Sequence, residues 1–432
     1  MRVLVKSYGC SANQADGEAL AGCLQAAGFE LTESISEANV LIYNCCAVKG
    51  PTENRMIETL KRLPKTKKVV VAGCLPLISF DRLHREVRFD GVVGPAAGRR
   101  IIEVVKRVCS GEKVVALDGA LSAKPDLRLP RVNGNPVVSV VPVSHGCLGA
   151  CSYCCVVFAR GRLRSCSVAE VVERFRADLA AGSREFWVTS QDAACYGKDV
   201  GANLAELLKA VCGLEGDFRV RVGMMTPNLV LGMLNELIEA FRCEKVFKFL
   251  HLPVQSGDDM VLRRMRRCYT AEDFTEIVGA FRTVFPTVTL ATDVICGFPG
   301  ETEEAFENTL QLIRTVKPDV VNVSKFFARP GTAAAGIREG LVEQTEIKRR
   351  SAAAAGLAKC ISLERNQRWV GWVGDILVDE KGKVPGSWIG RNFAYKPVTV
   401  RSSRDLLGET LKIEVVKTFP THLAGEVFES KG

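Results

Sequence analysis

The chain has 432 residues, 47% of them hydrophobic and 25% charged, with a formal net charge of +9. That length exceeds one ordinary core and implies two or three domains, and the composition excludes a disordered chain. No apolar run reaches the roughly eighteen residues of a membrane span, and Met1–Val5 opens in a strand-like pattern without signal-peptide regions, so a cytoplasmic protein is expected; the mild basic balance favours an anionic partner.

The first stretch alternates strands and helices. Strand patterns cover Val3–Tyr8, Val40–Asn44, Val69–Ala72 and Asp90–Gly94, with helical patterns at Asn13–Ala27, Thr52–Leu63 and Gly98–Cys109. This predicts an α/β domain over residues 1–117 with a parallel sheet. Pro125, Pro130 and Asn133-Gly134-Asn135-Pro136 mark residues 118–136 as a linker. From Val137 the alternation resumes with strand candidates at Val137–Val143, Phe186–Ser190, Phe218–Gly223, Phe247–Pro253, Thr289–Cys296 and Val320–Phe327. Six βα units amount to three-quarters of a (β/α)₈ barrel. A long helix, Glu343–Arg365, closes this domain, 137–365. Beyond it, Gly374-Asp375, Pro385-Gly386, Ser402-Ser403 and Pro420 punctuate short alternating segments, so residues 366–432 are expected to form a small β-barrel.

Seventeen cysteines are many for a cytoplasmic chain. Disulfides are disfavoured there, so metal binding or catalysis must use some of them. Cys147-x-x-x-Cys151-x-x-Cys154 directly follows the first strand of the βα array, at the end where barrel active sites form. Three thiolates hold a 4Fe-4S cluster with one iron left open. An open iron can chelate the amino and carboxylate groups of S-adenosylmethionine (SAM) and deliver an electron to its sulfonium, chemistry that proteins delegate to cofactors. A structural zinc site is the competing reading, and no second nearby pair completes it. A dispersed triplet has the same logic: Cys10, Cys46 and Cys74 each follow a strand of the first sheet, and open α/β sheets assemble sites along that edge. Cys45 competes with Cys46, since geometry cannot separate adjacent thiols in a sequence.

Cys147-Leu148-Gly149-Ala150-Cys151-Ser152-Tyr153-Cys154 resembles the radical SAM signature, which implies that Tyr153 lies against the adenine of SAM. The whole chain resembles the methylthiotransferase family: an N-terminal cluster domain, a partial (β/α)₆ radical SAM barrel and a C-terminal TRAM RNA-binding barrel. The matching stretches include Gly9-Cys10-x-x-Asn13, Asn44-Cys45-Cys46-x-Val48, Ala72-Gly73-Cys74, His251 through Gly257, Asp293 through Thr302 and Arg329-Pro330-Gly331-Thr332. The resemblance makes Cys46 the ligand, with Cys45 in place of the family's threonine. It implies two 4Fe-4S clusters, one that holds or relays sulfur and one that activates SAM. It also implies SAM contacts at Gln191, Gln255, Asp293, Gly297 and Gly300, and an electron donor of flavodoxin or ferredoxin type.

Trp187 through Asp192, Tyr196-Gly197-Lys198-Asp199 and Val222 through Asn228 are similar to the archaeal and eukaryotic branch. That branch acts on threonylcarbamoyladenosine beside the tRNA anticodon. Gln191-Asp192 suits either SAM or the threonyl group. Arg160, Arg162 and Arg164 suit phosphates or unpaired bases; Arg263-Arg264-Met265-Arg266-Arg267 suits RNA or a solvated helix face equally. From Asn366 onward, ten Lys/Arg face eight Asp/Glu, a weak electrostatic signal for RNA. Trp369, Trp372, Trp388, Phe393 and Tyr395 suit base stacking or barrel packing. Two competing functions are methylthiolation of a ribosomal-protein aspartate or another tRNA adenosine, and a non-catalytic Fe–S RNA-binding role.

Overall fold

The computed structural model describes residues 1–428; the last four residues of the expected 366–432 module lie outside that range. The first unit holds six parallel strands, Arg2–Ser7, Glu30–Leu31, Val40–Cys45, Lys68–Gly73, Gly91–Val93 and Val114–Ala116 (β1–β6), in spatial order β2-β1-β3-β4-β5-β6. All six residues of β3 are buried, as a central parallel strand covered on both faces requires. Helices Ser11–Ala26, Gly50–Lys61 and Arg100–Cys109 cover the sheet, and their boundaries shift only slightly from the sequence pattern. The edge strands β2 and β6 and the short helices Leu75–Ile78 and Phe80–Glu86 are additions. Each is too short to show a period in sequence.

The linker runs across the Ser11–Ala26 helix, where Pro130 packs against Gly22 and Val132 N–H donates to Glu18 O (3.1 Å). The second unit's parallel strands are Val138–Pro142 (β7), Glu185–Thr189 (β10), Arg219–Val222 (β11), Phe249–His251 (β12), Thr289–Cys296 (β13) and Val320–Lys325 (β14). A small hairpin, Ser144–His145 and Arg164–Ser165 (β8 and β9), follows β7. β7-β10-β11 and β12-β13-β14 meet at a bridge from Val220 to Val246, so the six strands run in one open order. Val141, Phe186, Val220, Leu250 and Leu290 point outward into the large core beneath the helices. The inner face keeps polar and aromatic groups: Glu185, Trp187, Arg221, Phe249, His251 and Asp293. No described helix is long and apolar enough to cross a membrane.

Helix Gln344–Gln367 packs on β14 and leads to the third unit. Strands Val373–Lys381, Ser387–Arg391, Pro397–Arg401, Thr410–Thr418 and Leu423–Val427 (β15–β19) close into a barrel in the order β15-β16-β17-β19-β18. Trp369 and Trp388 fill its core with Ile376, Val378, Val398 and Ile413, and Trp372 packs against them. Tyr395 departs from that pattern. It leaves the barrel and packs against Phe247, Phe249 and Ala291 at the bottom of the second unit. Lys248 N–H donates to Phe393 O (2.8 Å), and Asp319 receives both Lys396 (2.8 Å) and Arg365 (3.2 Å) where helix, strand and barrel join.

Glu185 is fully buried at this junction and accepts a hydrogen bond from Trp187 Nε1 (2.5 Å). Burial first, and the Asp379 charge second, push its carboxyl up to about 7. A folded value above the unfolded one means the native state holds the proton longer. The penalty for burying this group is therefore absent below about pH 4.5 and complete above about pH 7. Glu185→Gln keeps an acceptor for Trp187, so its melting temperature should exceed the wild type's by a few degrees at pH 8 and converge with it near pH 5. Paired thermal unfolding scans across that range check this.

Candidate active site

Strands β1, β3 and β4 end side by side, and the residues just beyond them are Cys10, Cys46 and Cys74. Gly9 (φ +122°) turns the chain out of β1. A side chain there would meet Cys46 Cβ at 2.5 Å and its Sγ at 3.2 Å, so the glycine lets the first and second cysteine loops close together. Cys74 N–H donates to Cys45 O (3.0 Å), and Cys74 Sγ lies 3.6 Å from Asn13 Oδ1. Burial raises the Cys74 thiol to about 12, with Cys10 and Cys46 adding to the rise, and burial also raises Cys46. The next residue back, Cys45, points into the hydrophobic core of the sheet.

The second triad sits on the loop after β7. Gly149 N–H donates to Cys147 Sγ (3.2 Å), and a Cβ at Gly149 would lie 3.4 Å from Cys147 Sγ and 3.6 Å from Cys151 Sγ. Burial, reinforced by Cys151 and the other neighbouring thiols, raises Cys154 to about 12. The loop is pinned from outside: Ser152 N–H donates to Met265 O (3.0 Å) and Ser152 Oγ to Arg264 O (2.9 Å). Arg267 Nη1 lies 3.2 Å from Cys151 Sγ. Cys147, Asp192 and Cys195 bring ligand-type atoms within 4.8 Å of one another. Asp192, however, accepts from Ala194 N–H and Thr226 N–H (both 3.1 Å), and Cys195 Sγ lies 3.0 Å from Asp192 O. That trio buttresses the loop, and the Cys195 thiol holds Cys147 below its ordinary value.

Both triads line one cavity of about 1050 Å³. Cys46 and Cys74 in one triad and Cys154 in the other resist ionisation in the bare protein, and binding of a metal cluster is what makes such thiolates stable. Three sulfurs per site, with a guanidinium nearby and no fourth sulfur committed, suit a 4Fe-4S cluster with an open iron. Tyr153, Gln191, Gln255 and Asp293 also line the cavity. Tyr153 stacks edge-on against Phe298 (6.3 Å), and Gln191 Oε1 accepts from Gly146 N–H (2.7 Å). Asp293 accepts from Asn322 (2.7 Å) and lies 3.4 Å from His251 Nε2; against the effect of burial, these bonds keep its carboxyl below the ordinary range.

Gly297 and Gly300 lie off the cavity lining. Their positive φ angles (+80° and +88°) and packing against Ile347 and Arg264 make a turn before the Glu303–Val316 helix. Arg160 also departs from the expected phosphate contact. Its side chain is 1% exposed and donates to Asp16 Oδ2 (2.7 Å), Asn13 Oδ1 (2.7 Å) and His145 Nε2 (2.6 Å). Burial and Arg160 together hold His145 neutral, down to about 3, so it accepts this bond. Arg162 is exposed at the cavity rim; Asp192 is 2% exposed and also lines the cavity, with its Oδ1 accepting from two backbone donors. Arg164 bonds to Ala123 O and Arg160 O. The Arg263–Arg267 run divides: Arg263, Arg264 and Arg266 face solvent, and Met265 and Arg267 turn inward. Trp187, Arg221, His251, Arg391 and Tyr395 also line the cavity; Trp187 and His251 fall in stretches already singled out, whereas nothing in the local sequence marks Arg221 or Arg391.

Residues 141–313 match the Radical SAM superfamily, and residues 2–94 match Uncharacterized protein family UPF0004. The chain is 42% identical over 429 residues, 99% of each chain, to a Pyrococcus abyssi protein named "Probable threonylcarbamoyladenosine tRNA methylthiotransferase". A Danio rerio protein named "Threonylcarbamoyladenosine tRNA methylthiotransferase" is 34% identical over 440 residues, covering 99% of this chain and 78% of that one. The fold is similar to that of a radical S-adenosylmethionine methyltransferase, TsrM, from Kitasatospora setae: TM-score 0.56, 15% identity, 78% of this chain and 77% of that one.

Removing Arg160 leaves Asp16 charged in a dry seam. Arg160→Met should therefore destabilise the apo protein by about 3–5 kcal/mol. Arg162→Met, at the exposed rim, should stay within about 0.5 kcal/mol of wild type. Urea unfolding of the two variants reads the difference.

Proposed function

We propose a reaction for this cleft from one premise: the chain belongs to the family of radical SAM threonylcarbamoyladenosine tRNA methylthiotransferases. It acts on tRNA, converting N6-threonylcarbamoyladenosine at position 37, next to the anticodon, to the 2-methylthio derivative. The observation that carries this reading is the shared cavity: three thiols from each of two sheets open into a single space. Methylthiolation needs a sulfur site and a SAM-activating site within reach of one substrate carbon.

Cys147, Cys151 and Cys154 would hold one 4Fe-4S cluster, and Cys10, Cys46 and Cys74 the other. When bound, the clusters and SAM supply the one-electron and sulfur chemistry that side chains lack. The chain's own residues bind, orient and neutralise. Arg267, beside Cys151, and Arg160, behind Cys10 and Cys74, offset thiolate charge. Tyr153 gives a flat wall for the adenine of SAM, and Gln191, Gln255 and Asp293 offer polar groups for its ribose and amino acid portions. Lys49, Arg162 and Arg266 stand exposed around the rim, placed for phosphates of the anticodon loop. Seventeen unpaired thiols suit the reducing cytoplasm, where a flavodoxin- or ferredoxin-like donor supplies electrons.

Anaerobic reconstitution tests this with an anticodon stem-loop carrying threonylcarbamoyladenosine, SAM and dithionite, read by nucleoside mass spectrometry and iron analysis. Wild type should bind about eight irons per chain and each triple Cys→Ala variant about four. Loss of Cys10, Cys46 and Cys74 should abolish the methylthio product while SAM cleavage persists; loss of Cys147, Cys151 and Cys154 should abolish both. Product on isopentenylated RNA alone would overturn the substrate assignment.

A further inference from the structure

The cations lining the cavity are nearly all committed. Arg160 is held by Asp16, Asn13 and His145, and Arg267 by Tyr269 Oη (2.9 Å) beside Cys151. Lys49 donates to Ser324 Oγ (2.9 Å), and Arg391 is paired with Asp379 (3.0 Å) and Glu380 (3.5 Å). Arg162 and Arg266 are exposed at the rim. Arg221 differs from all of these. It is half-buried, lines the cavity, and makes no side-chain hydrogen bond or ion pair among the described residues; its Nε is fully buried without a partner. Its guanidinium lies 5.1 Å from the Trp187 ring, 5.2 Å from Phe249 and 5.3 Å from Tyr395.

Three aromatic rings hold the guanidinium and bury its Nε, while its Nη groups stay open to the cavity without a protein partner among the described residues. A partly desolvated cation with no protein anion beside it is suited to an anion that arrives with a ligand. Arg221 also has a defined depth. It lies on the inner face of β11, one residue before the strand's last residue, Val222, so its backbone sits about 3.3 Å below the strand end. A base whose C2 edge faces the thiols has its N6 substituent on a diverging edge of the ring, free to descend into this layer. In N6-threonylcarbamoyladenosine that substituent ends in a free carboxylate.

We propose that Arg221 is the specificity-determining residue that reads the threonyl carboxylate, with Tyr395 of the C-terminal barrel completing its aromatic walls. The inference rests on the threonylcarbamoyladenosine reading above. The small barrel then contributes to choice of base as well as to RNA contact, because Tyr395 reaches the cavity from it.

The test uses reconstituted full-length enzyme without reductant and fluorescent anticodon stem-loops. These carry threonylcarbamoyladenosine, its methyl ester, or plain adenosine, and anisotropy gives Kd. Wild type should bind the acid about 10–100-fold more tightly than the ester, the range of a charge-assisted hydrogen-bonded pair. Arg221→Gln should bind acid and ester alike, at the wild-type ester level, with unchanged iron content; Arg221→Lys should recover part of the preference. Equal binding of acid and ester by wild type would overturn the proposal, and this arm needs no variant to fold. Full acid preference in Arg221→Gln would also overturn it, as would a variant whose only defect is a raised KM for SAM. Failure of the underlying reading shows separately, as absence of methylthio product from wild type on threonylcarbamoyladenosine RNA under reduction.

Discussion

Arg160 ends the short helix Val156–Arg160 behind the second triad, and its guanidinium lies among Asn13, Asp16 and His145 behind the first. Two sheets with separate edges face one space only if the seam between them is both polar and dry, and this side chain supplies the bridge. A charge so buried is not a large net source of stability, because desolvation offsets most of the attraction. Its effect is positional: any other docking of the units strands a cation or a carboxylate. Glu53 and Arg329 repeat the device on the other flank. Arg329 also donates to Ala47 O (2.7 Å), next to Cys46.

The same principle recurs at the third unit, where Asp319 gathers Arg365 from the long helix and Lys396 from the barrel. Each junction combines a buried ion pair with backbone hydrogen bonds, and each lies behind a wall of the cavity. The site is therefore assembled from three folding units whose relative placement is set by charges that carry no chemistry themselves. The thiols show the complementary situation. Cys74 and Cys154 are placed where ionisation is unfavourable in the bare protein, so metal loading and thiolate formation are one event.

The βα alternation, the six inner strands and the closed terminal barrel were legible because parallel strands and amphipathic helices impose strong periods. The cysteine triads were legible because Cys10, Cys46 and Cys74 each follow a strand and Cys147, Cys151 and Cys154 share one loop after a strand, and Gly9 and Gly149 mark where the loops must approach. The division between Cys45 and Cys46 follows from side alternation along β3, which sends one into the core and the other to the cavity. Arg160 looks available for a phosphate in sequence because a charged residue beside a motif hides its partner, and Asp16 lies 144 positions away; Asp192 lines the cavity with its Oδ1 taken up by two backbone N–H groups. Gly297 and Gly300 belong to a turn before the Glu303–Val316 helix, off the cavity lining. Arg221 carried no signal because its surroundings come from three strands and a distant barrel turn.

Tyr395 and its neighbours stopper the bottom of the open barrel, and the thiol loops crowd the top. What remains is a compartment of about 1050 Å³, room for a nucleoside beside a cofactor but not for a base pair on its duplex. A nucleotide rotated out of its stack fits such a space. That motion is cheap for an unpaired purine in a hairpin loop and expensive inside a stem. Shape therefore favours a loop base over helical RNA before any letter of the sequence is consulted.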